Sequence, residues 1–206
     1  LHAIGERPLL KAARVEVNYQ WRDLFAGRME FGQIACEEPE LFLHIDRNGK
    51  PNYAPLLDRP LSNSKNKPIR IENFSVTNAR VEYRRDHQSG STETAHFSGL
   101  HIVSSEIAAG QPGQITVQGR AGYSLKPLQQ SGQGLAGEFH LKFIHQLDEH
   151  LLPTRVESEG YLQVALATGQ FAFAAGLKAS LDAEATADEL RRFALHFTHA
   201  GNALGR

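Results

Sequence analysis

Hydrophobic and polar side chains alternate one by one along most of this chain. Residues 13 to 21 set Ala13, Val15, Val17, Tyr19 and Trp21 against Arg14, Glu16, Asn18 and Gln20, which is the period of two expected of a strand with one buried face. The pattern returns in Leu41, Leu43 and Ile45 against Phe42, His44 and Asp46, and in Ile115, Val117, Gly119, Ala121 and Tyr123 against Thr116, Gln118, Arg120 and Ser124. It returns again in Leu135, Gly137, Phe139, Leu141 and Phe143 against Ala136, Glu138, His140 and Lys142. A last stretch sets Phe171, Phe173, Ala175, Leu177, Ala179 and Leu181 against Ala172, Ala174, Lys178, Ser180 and Asp182.

Turn chemistry separates these stretches. Asn48-Gly49 is a type I′ hairpin signal, and Ser89-Gly90, Gly110 with Pro112-Gly113, and Gly132 with Gly134 mark further reversals. Successive strands are therefore expected to be antiparallel neighbours. Roughly nine or ten strands result, several longer than the usual five or six residues. Helical spacing is confined to Trp21–Phe25 and Ala187–Phe193, the latter with Asp182 or Thr186 as cap. Residues 58 to 68 have no period and two prolines, which reads as a loop and a soft internal boundary.

A sheet with one apolar face and no covering helices has three ways to hide it. It packs on a second sheet, closes into a self-filled barrel, or curls into a trough occupied by something else. Alternation alone does not choose among them.

Composition narrows the function. The 206 residues allow one large all-β domain or two small ones. A formal charge of −1 gives no positive field for nucleic acid or an anionic membrane surface. The single cysteine, Cys36, excludes an internal disulfide and a cysteine-built zinc site. No run approaches the ~20 apolar residues of a spanning helix. The chain begins at Leu1 without a basic-then-apolar leader, and is read as a segment of a longer protein.

Reactive constellations are scarce. His140 and His145, and His196 and His199, have odd spacings that send strand side chains to opposite faces, so they are expected as exposed-face histidines. His44 and Asp46 share a face but lack a third ligand. Ser89-Gly90-Ser91 lies in a turn rather than a nucleophile elbow. Cys36, beside Glu37 and Glu38, reads as a small buried filler. Asp148 with Glu149, and Glu157 with Glu159, read as solvated carboxylates rather than an acid pair. Arg80, Arg84 and Arg85, with Lys65 and Lys67 nearby in sequence, suit the protection of an exposed strand edge, or a groove rim that meets headgroups. No enzyme, metal or cofactor is expected.

Residues 8 to 52 carry a succession of features: an alternating strand ending in the turn Asp23-Leu24-Phe25-Ala26-Gly27, a second strand through Pro39, Leu41 and Leu43, and a hairpin with Asp46, Gly49 and Asn52. The block Ile69 to Asp86 follows with Asn73, Phe74, Asn78, Ala79, Val81 and Tyr83. This order and spacing resembles the AsmA-like family. The resemblance covers residues 8 to 100 and thereafter holds only in style, as at Phe97 to Leu100 and Leu135 to Phe139.

What the resemblance implies is an all-β fold, an elongated antiparallel meander curled into a groove or half-barrel with one or two short helices. Residues 1 to 206 would form one such segment, held in the periplasm by an upstream inner-membrane anchor that this sequence lacks. The implied partners are phospholipid acyl chains and further strands of the parent protein, and the implied role is lipid transport in outer-membrane biogenesis.

The expected lining begins with Val15, Val17, Tyr19 and Trp21, then Leu41, Leu43 and Ile45, then Ile71, Val81, Tyr83 and Ile102. It continues with Val117, Phe139 and Leu141, and ends with Phe171, Phe173 and Leu177. Two other readings stand beside it. One is a structural or interaction module of the envelope, self-packed and without lipid. The weaker is a carbohydrate-binding sandwich, which would want outward aromatics where most here alternate inward.

Overall fold

The computed structural model describes residues 7–26, 28–54, 69–126, 132–199 and 202–205. The loop expected at 58–68, with Lys65 and Lys67, lies outside these residues. Strands dominate in chain order: β1 (Leu10–Lys11), β2 (Arg14–Tyr19), β3 (Met29–Glu37), β4 (Glu40–Ile45), β5 (Ile69–Asp86), β6 (Thr92–Ser104) and β7 (Ile107–Ala108). They continue as β8 (Pro112–Lys126), β9 (Gln133–Leu147), β10 (Pro153–Thr168), β11 (Leu177–Thr186), β12 (Leu190–His199) and β13 (Asn202–Gly205). One short helix, α1 (Trp21–Phe25), follows β2, and a 3₁₀ turn, Gly169–Ala174, follows β10.

All thirteen strands belong to one sheet. From β5 onward it is an antiparallel meander in the order β5-β6-β8-β9-β10-β11-β12-β13, with β7 a short branch on β5. The turns are as the sequence requires. Gly49 and Gly90 have φ of 80° and 83°, values only glycine takes without cost, and Asp46 Oδ1 accepts from the amides of Asn48 and Lys50, both at 2.9 Å.

The first quarter departs from the expected pairing. β3 and β4 both lie parallel to β5, β3 along Ile69 to Thr77 and β4 along Arg80 to Arg85. A single 18-residue strand thus carries two shorter ones end to end on one side. The break falls where Glu38 and Asn78 take positive φ, 48° and 55°. Turn signals mark where a chain reverses, but not a strand that stops and resumes in the same direction.

Two further corrections concern the C-terminal third. Phe171 to Gly176 is not strand: Gly169 (φ 65°) and Gly176 (φ 78°) bracket the segment, and Gly169–Ala174 coils as 3₁₀ between them. Nor do Ala187 to Phe193 form a helical turn. Thr186 and Glu189 close a reversal in which the Thr186 amide donates to the Glu189 carbonyl at 2.8 Å, and Leu190 onward pairs with β11.

The sheet is open. Among the described residues β2 pairs only with β3, and the opposite side ends at β12 and β13, so the two edges are not joined. Register slips in β5/β6 near Asn78, in β6/β8 at Ser98–His101 and in β9/β10 at Val164–Leu166 are bulges, each of which bends its strand and adds twist. Burial is sparse. Among the described residues the buried apolar side chains are Leu9, Ala79, Leu100, Ala108, Leu147, Val164 and Ala174, and no phenylalanine, tyrosine, tryptophan or isoleucine is buried.

Candidate functional site

Paired residues on neighbouring strands point to the same face, so the registers define the two faces without ambiguity. One row crosses nine strands: Val15, Cys36, Val76, Ile102, Val117, Leu141, Gly160, Leu181 and Leu195, each paired with the next. The adjacent row is Val17, Ile34, Phe74, Ser104, Ile115, Phe143, Ser158, Ala183 and Phe193. Eight strand spacings of about 4.8 Å make these rows about 38 Å long. The opposite face carries Arg120, Glu138, His140, Lys142, Glu159, Asp182 and Arg192, with Lys142 paired to Glu159 at 3.0 Å and Arg192 to Asp182 at 3.0 Å.

Most of the expected lining falls on the apolar face. Leu41 and Leu43 sit beside Val81 and Tyr83, with Ile45 beyond them. Val81 pairs with Phe97, whose ring meets that of Phe139 edge-on at 6.1 Å. Leu177 pairs with His199 at the far edge. Val15 and Val17 are on the face but at its margin, 61% and 45% exposed. Cys36 is half-buried in the long row rather than fully buried.

Four expected positions lie elsewhere, and a fifth reaches the apolar face from outside the strands. Ile71 points to the other face, between Phe31 and Ile107, because the bulge at Asn78 shifts the inward set of β5 from odd numbers (Ala79, Val81, Tyr83) to even ones (Phe74, Val76). Tyr19 pairs with Phe31 after a register slip at Asn18, and Trp21 stands exposed on α1 with its ring edge-on to Tyr19 at 5.2 Å. Phe171 reaches the apolar face from the 3₁₀ turn, its ring edge-on to Tyr123 at 5.8 Å, whereas Phe173 is exposed. Phe193, Leu195 and Phe197 are the clearest omission from the expected lining. Their alternation is visible in the sequence, but Ala187 to Phe193 reads there as a helical turn that includes the first of them.

The apolar face has a polar group at each end. At one, the Tyr123 hydroxyl donates to Glu93 at 2.7 Å and His87 lies 3.2 Å from the same carboxylate. The hydrogen bond to Glu93, aided by burial, pushes the Tyr123 hydroxyl up to about 12. The same bond holds the Glu93 carboxyl below its usual range against the opposing effect of burial. At the other end His145 is only 7% exposed, in contrast to the expectation of solvent-facing histidines, and Ser104 only 2%. Gly113 leaves the room: a Cβ there would come within 2.6 Å of the imidazole. His145 Nδ1 and Ser104 Oγ have no hydrogen-bond partner, and burial lowers the His145 pKa.

The remaining candidates are absorbed by local structure. His44 contacts Asp86 at 2.9 Å. Burial, which by itself raises the Asp86 carboxyl, is outweighed by hydrogen bonds from His44, Thr92 and Arg84, which hold it low. Glu157 pairs with Arg155 at 2.9 Å. Asp148 accepts from the amides of Leu152 and His150, which keep its carboxyl low. Ser89 and Ser91 bond to each other at 2.9 Å. Arg80 and Arg84 project on the polar face and Arg85 toward Glu93. Among the described residues no three His, Cys, Asp or Glu side chains are grouped to hold a metal. No family model, no curated protein and no solved structure matches the chain.

Proposed function

We propose that the apolar face is a lipid-binding groove. In this reading the chain is a non-enzymatic periplasmic segment of an AsmA-like, inner-membrane-anchored protein that carries phospholipid in outer-membrane biogenesis. One observation supports it above the others: two apolar rows run across nine strands on a face that no second sheet covers among the described residues and whose large side chains stay partly accessible. A module filled by its own side chains would bury its aromatics, and here none of the described ones is buried. An acyl chain gains about 0.8 kcal/mol for each CH₂ it buries. The rows are longer than the ~15 Å depth of one hydrocarbon leaflet, so a tail fits along them. Because the attraction has no direction, the tail can slide. The family and the compartment rest on the succession of motifs from Pro8 to Asp86.

Protein purified without detergent, extracted with organic solvent and weighed by native mass spectrometry tests the reading. Near-stoichiometric phospholipid is expected, and Leu141→Glu at the centre of the long row should cut it at least tenfold. The milder Leu162→Lys, at a partly exposed position, should do the same with strand content unchanged by circular dichroism. Protein that emerges lipid-free and takes up none from phospholipid vesicles overturns it.

A further inference from the structure

Across the polar face cations sit beside carboxylates: Lys142 with Glu159, Arg192 with Asp182, Arg155 with Glu184 and Arg84 with Asp86. Arg80 and Arg120, in the middle of the sheet, break this pattern. Each stands in register with a glutamate on the next strand, Arg80 with Glu40 and Arg120 with Glu138, neighbours that ordinarily attract. Yet among the described residues neither guanidinium makes an ion pair or a hydrogen bond. Glu40 is taken by Lys11 at 3.0 Å. Arg120 leans away from Glu138, its Nη2 4.0 Å from where a Cβ of Gly99 would stand.

The bulge in β6 brings the two arginines to one place. Ser98 pairs with Arg120, while Ala79 pairs with Leu100 and Val81 with Phe97, so Arg80 faces the step from Ser98 to Gly99. Gly99 takes φ 57° and pairs with neither neighbouring strand; with no side chain there, Arg120 reaches over the bulge. Arg80 and Arg120 stand two strand spacings apart, about 9.6 Å at the backbone. Both line one open hollow of about 360 Å³ with Asn78, His96, Ser98 and Gly99. Glu82 at its margin is held by Arg7 at 2.9 Å, as Glu40 is by Lys11, which leaves Glu138 to offset two guanidiniums. Like charges that converge on one hollow repel, and an anion between them reverses the sign.

We infer that this hollow binds a phosphate group, held by Arg80 from one side and Arg120 from the other, with the Ser98 hydroxyl as a further donor. One guanidinium fork satisfies the two oxygens of a carboxylate, whereas a tetrahedral phosphate offers oxygens to two forks at once. A second hollow of about 570 Å³ shares His96, Ser98 and Arg120 and is lined further by Ala136 and Gly137, which gives the organic part of a phosphate ester room beside the arginines. The ligand class is therefore an organic phosphate, as a soluble ester or as a lipid headgroup. The hollow lies on the face away from the apolar rows and does not depend on what they hold.

Isothermal titration of the whole chain with glycerol 3-phosphate tests this, with acetate as the carboxylate control. A single saturable site is expected, which acetate does not fill. Arg80→Gln or Arg120→Gln should weaken it about tenfold or more, the loss of one charge-assisted contact. Glu138→Gln, which removes the opposing carboxylate, should strengthen it, a gain that damage to the fold would not produce. Flotation with phosphatidylcholine vesicles that contain phosphatidic acid identifies the source. Capture lost in both arginine variants assigns a headgroup; capture that is absent, or survives in them, assigns a soluble ester. The inference is overturned if neither glycerol 3-phosphate nor the vesicles bind, if acetate binds as tightly, if both arginine variants bind unchanged, or if Glu138→Gln weakens binding.

Discussion

The hydrogen bond from Tyr123 to Glu93 keeps the phenol protonated and the carboxylate ionised, and the pair sets a pH window. Tyr123 titrates higher folded than unfolded, so its contribution is complete below about 10 and is lost as pH rises toward about 12. Glu93 titrates lower folded than unfolded, so its contribution is present at neutral pH and is lost in acid. Tyr123→Phe removes a hydrogen bond to a charged group and is expected to cost about 1.5–3 kcal/mol, seen as a lower urea midpoint at pH 7 with the alkaline loss of stability reduced. His145 behaves in the opposite sense. Its folded pKa lies below the unfolded value, so below about 6.5 the unfolded chain takes a proton that the folded one resists. Stability should fall with acid from that point, and His145→Leu should flatten the slope of urea midpoint against pH. An unchanged slope would show that His145 does not set the acid sensitivity.

At the scale of the element, small residues let the rows close up. Gly160 stands in the long row between Leu141 and Leu181, and a Cβ there would run into the His140 carbonyl oxygen and the Leu141 side chain. Gly160→Val is therefore expected to destabilise by about 1–3 kcal/mol despite the higher strand propensity of valine, a loss measurable by chemical denaturation. The strands themselves were legible in the alternation, as Val117 to Tyr123 and Leu135 to Phe143 illustrate. Interruptions of the alternation were not. Asn78 inserts one residue and turns Ile71 away from Val81, and nothing in Asn-Ala-Arg distinguishes that bulge from an ordinary strand step. Phe171 and Phe173 alternate like strand residues, yet the left-handed backbone at Gly169 and Gly176 breaks the extended run on either side and Gly169–Ala174 coils as 3₁₀. His145 continues the inward odd-numbered set of Leu141 and Phe143, and the room for its ring comes from Gly113 on the neighbouring strand, a pairing that histidine spacing does not reveal.

For the molecule as a whole, the sparse burial means that, on the lipid-binding reading proposed above, a bound lipid contributes directly to stability. A ligand that binds only the folded chain adds about 2.7 kcal/mol at a hundredfold excess over its Kd. At roughly 2–4 °C per kcal/mol for a chain of this size, phospholipid added back to extracted protein should raise Tm by about 5–11 °C. An unchanged melting curve would separate the apolar rows from lipid binding.

β5 has one more consequence, for the order in which the protein is made. Among the described residues β1 to β4 connect to the rest of the sheet only through it, since β3 and β4 both lie on its side. A nascent chain that has emerged to residue 54 therefore holds β2 and β3 as little more than an isolated hairpin, marginal in water. The stretch on to residue 86 takes about 2 to 6 s to synthesise. Through that interval Ile34 and Leu41 have no template, and the earliest strands wait on the ribosome for the one that will seat them.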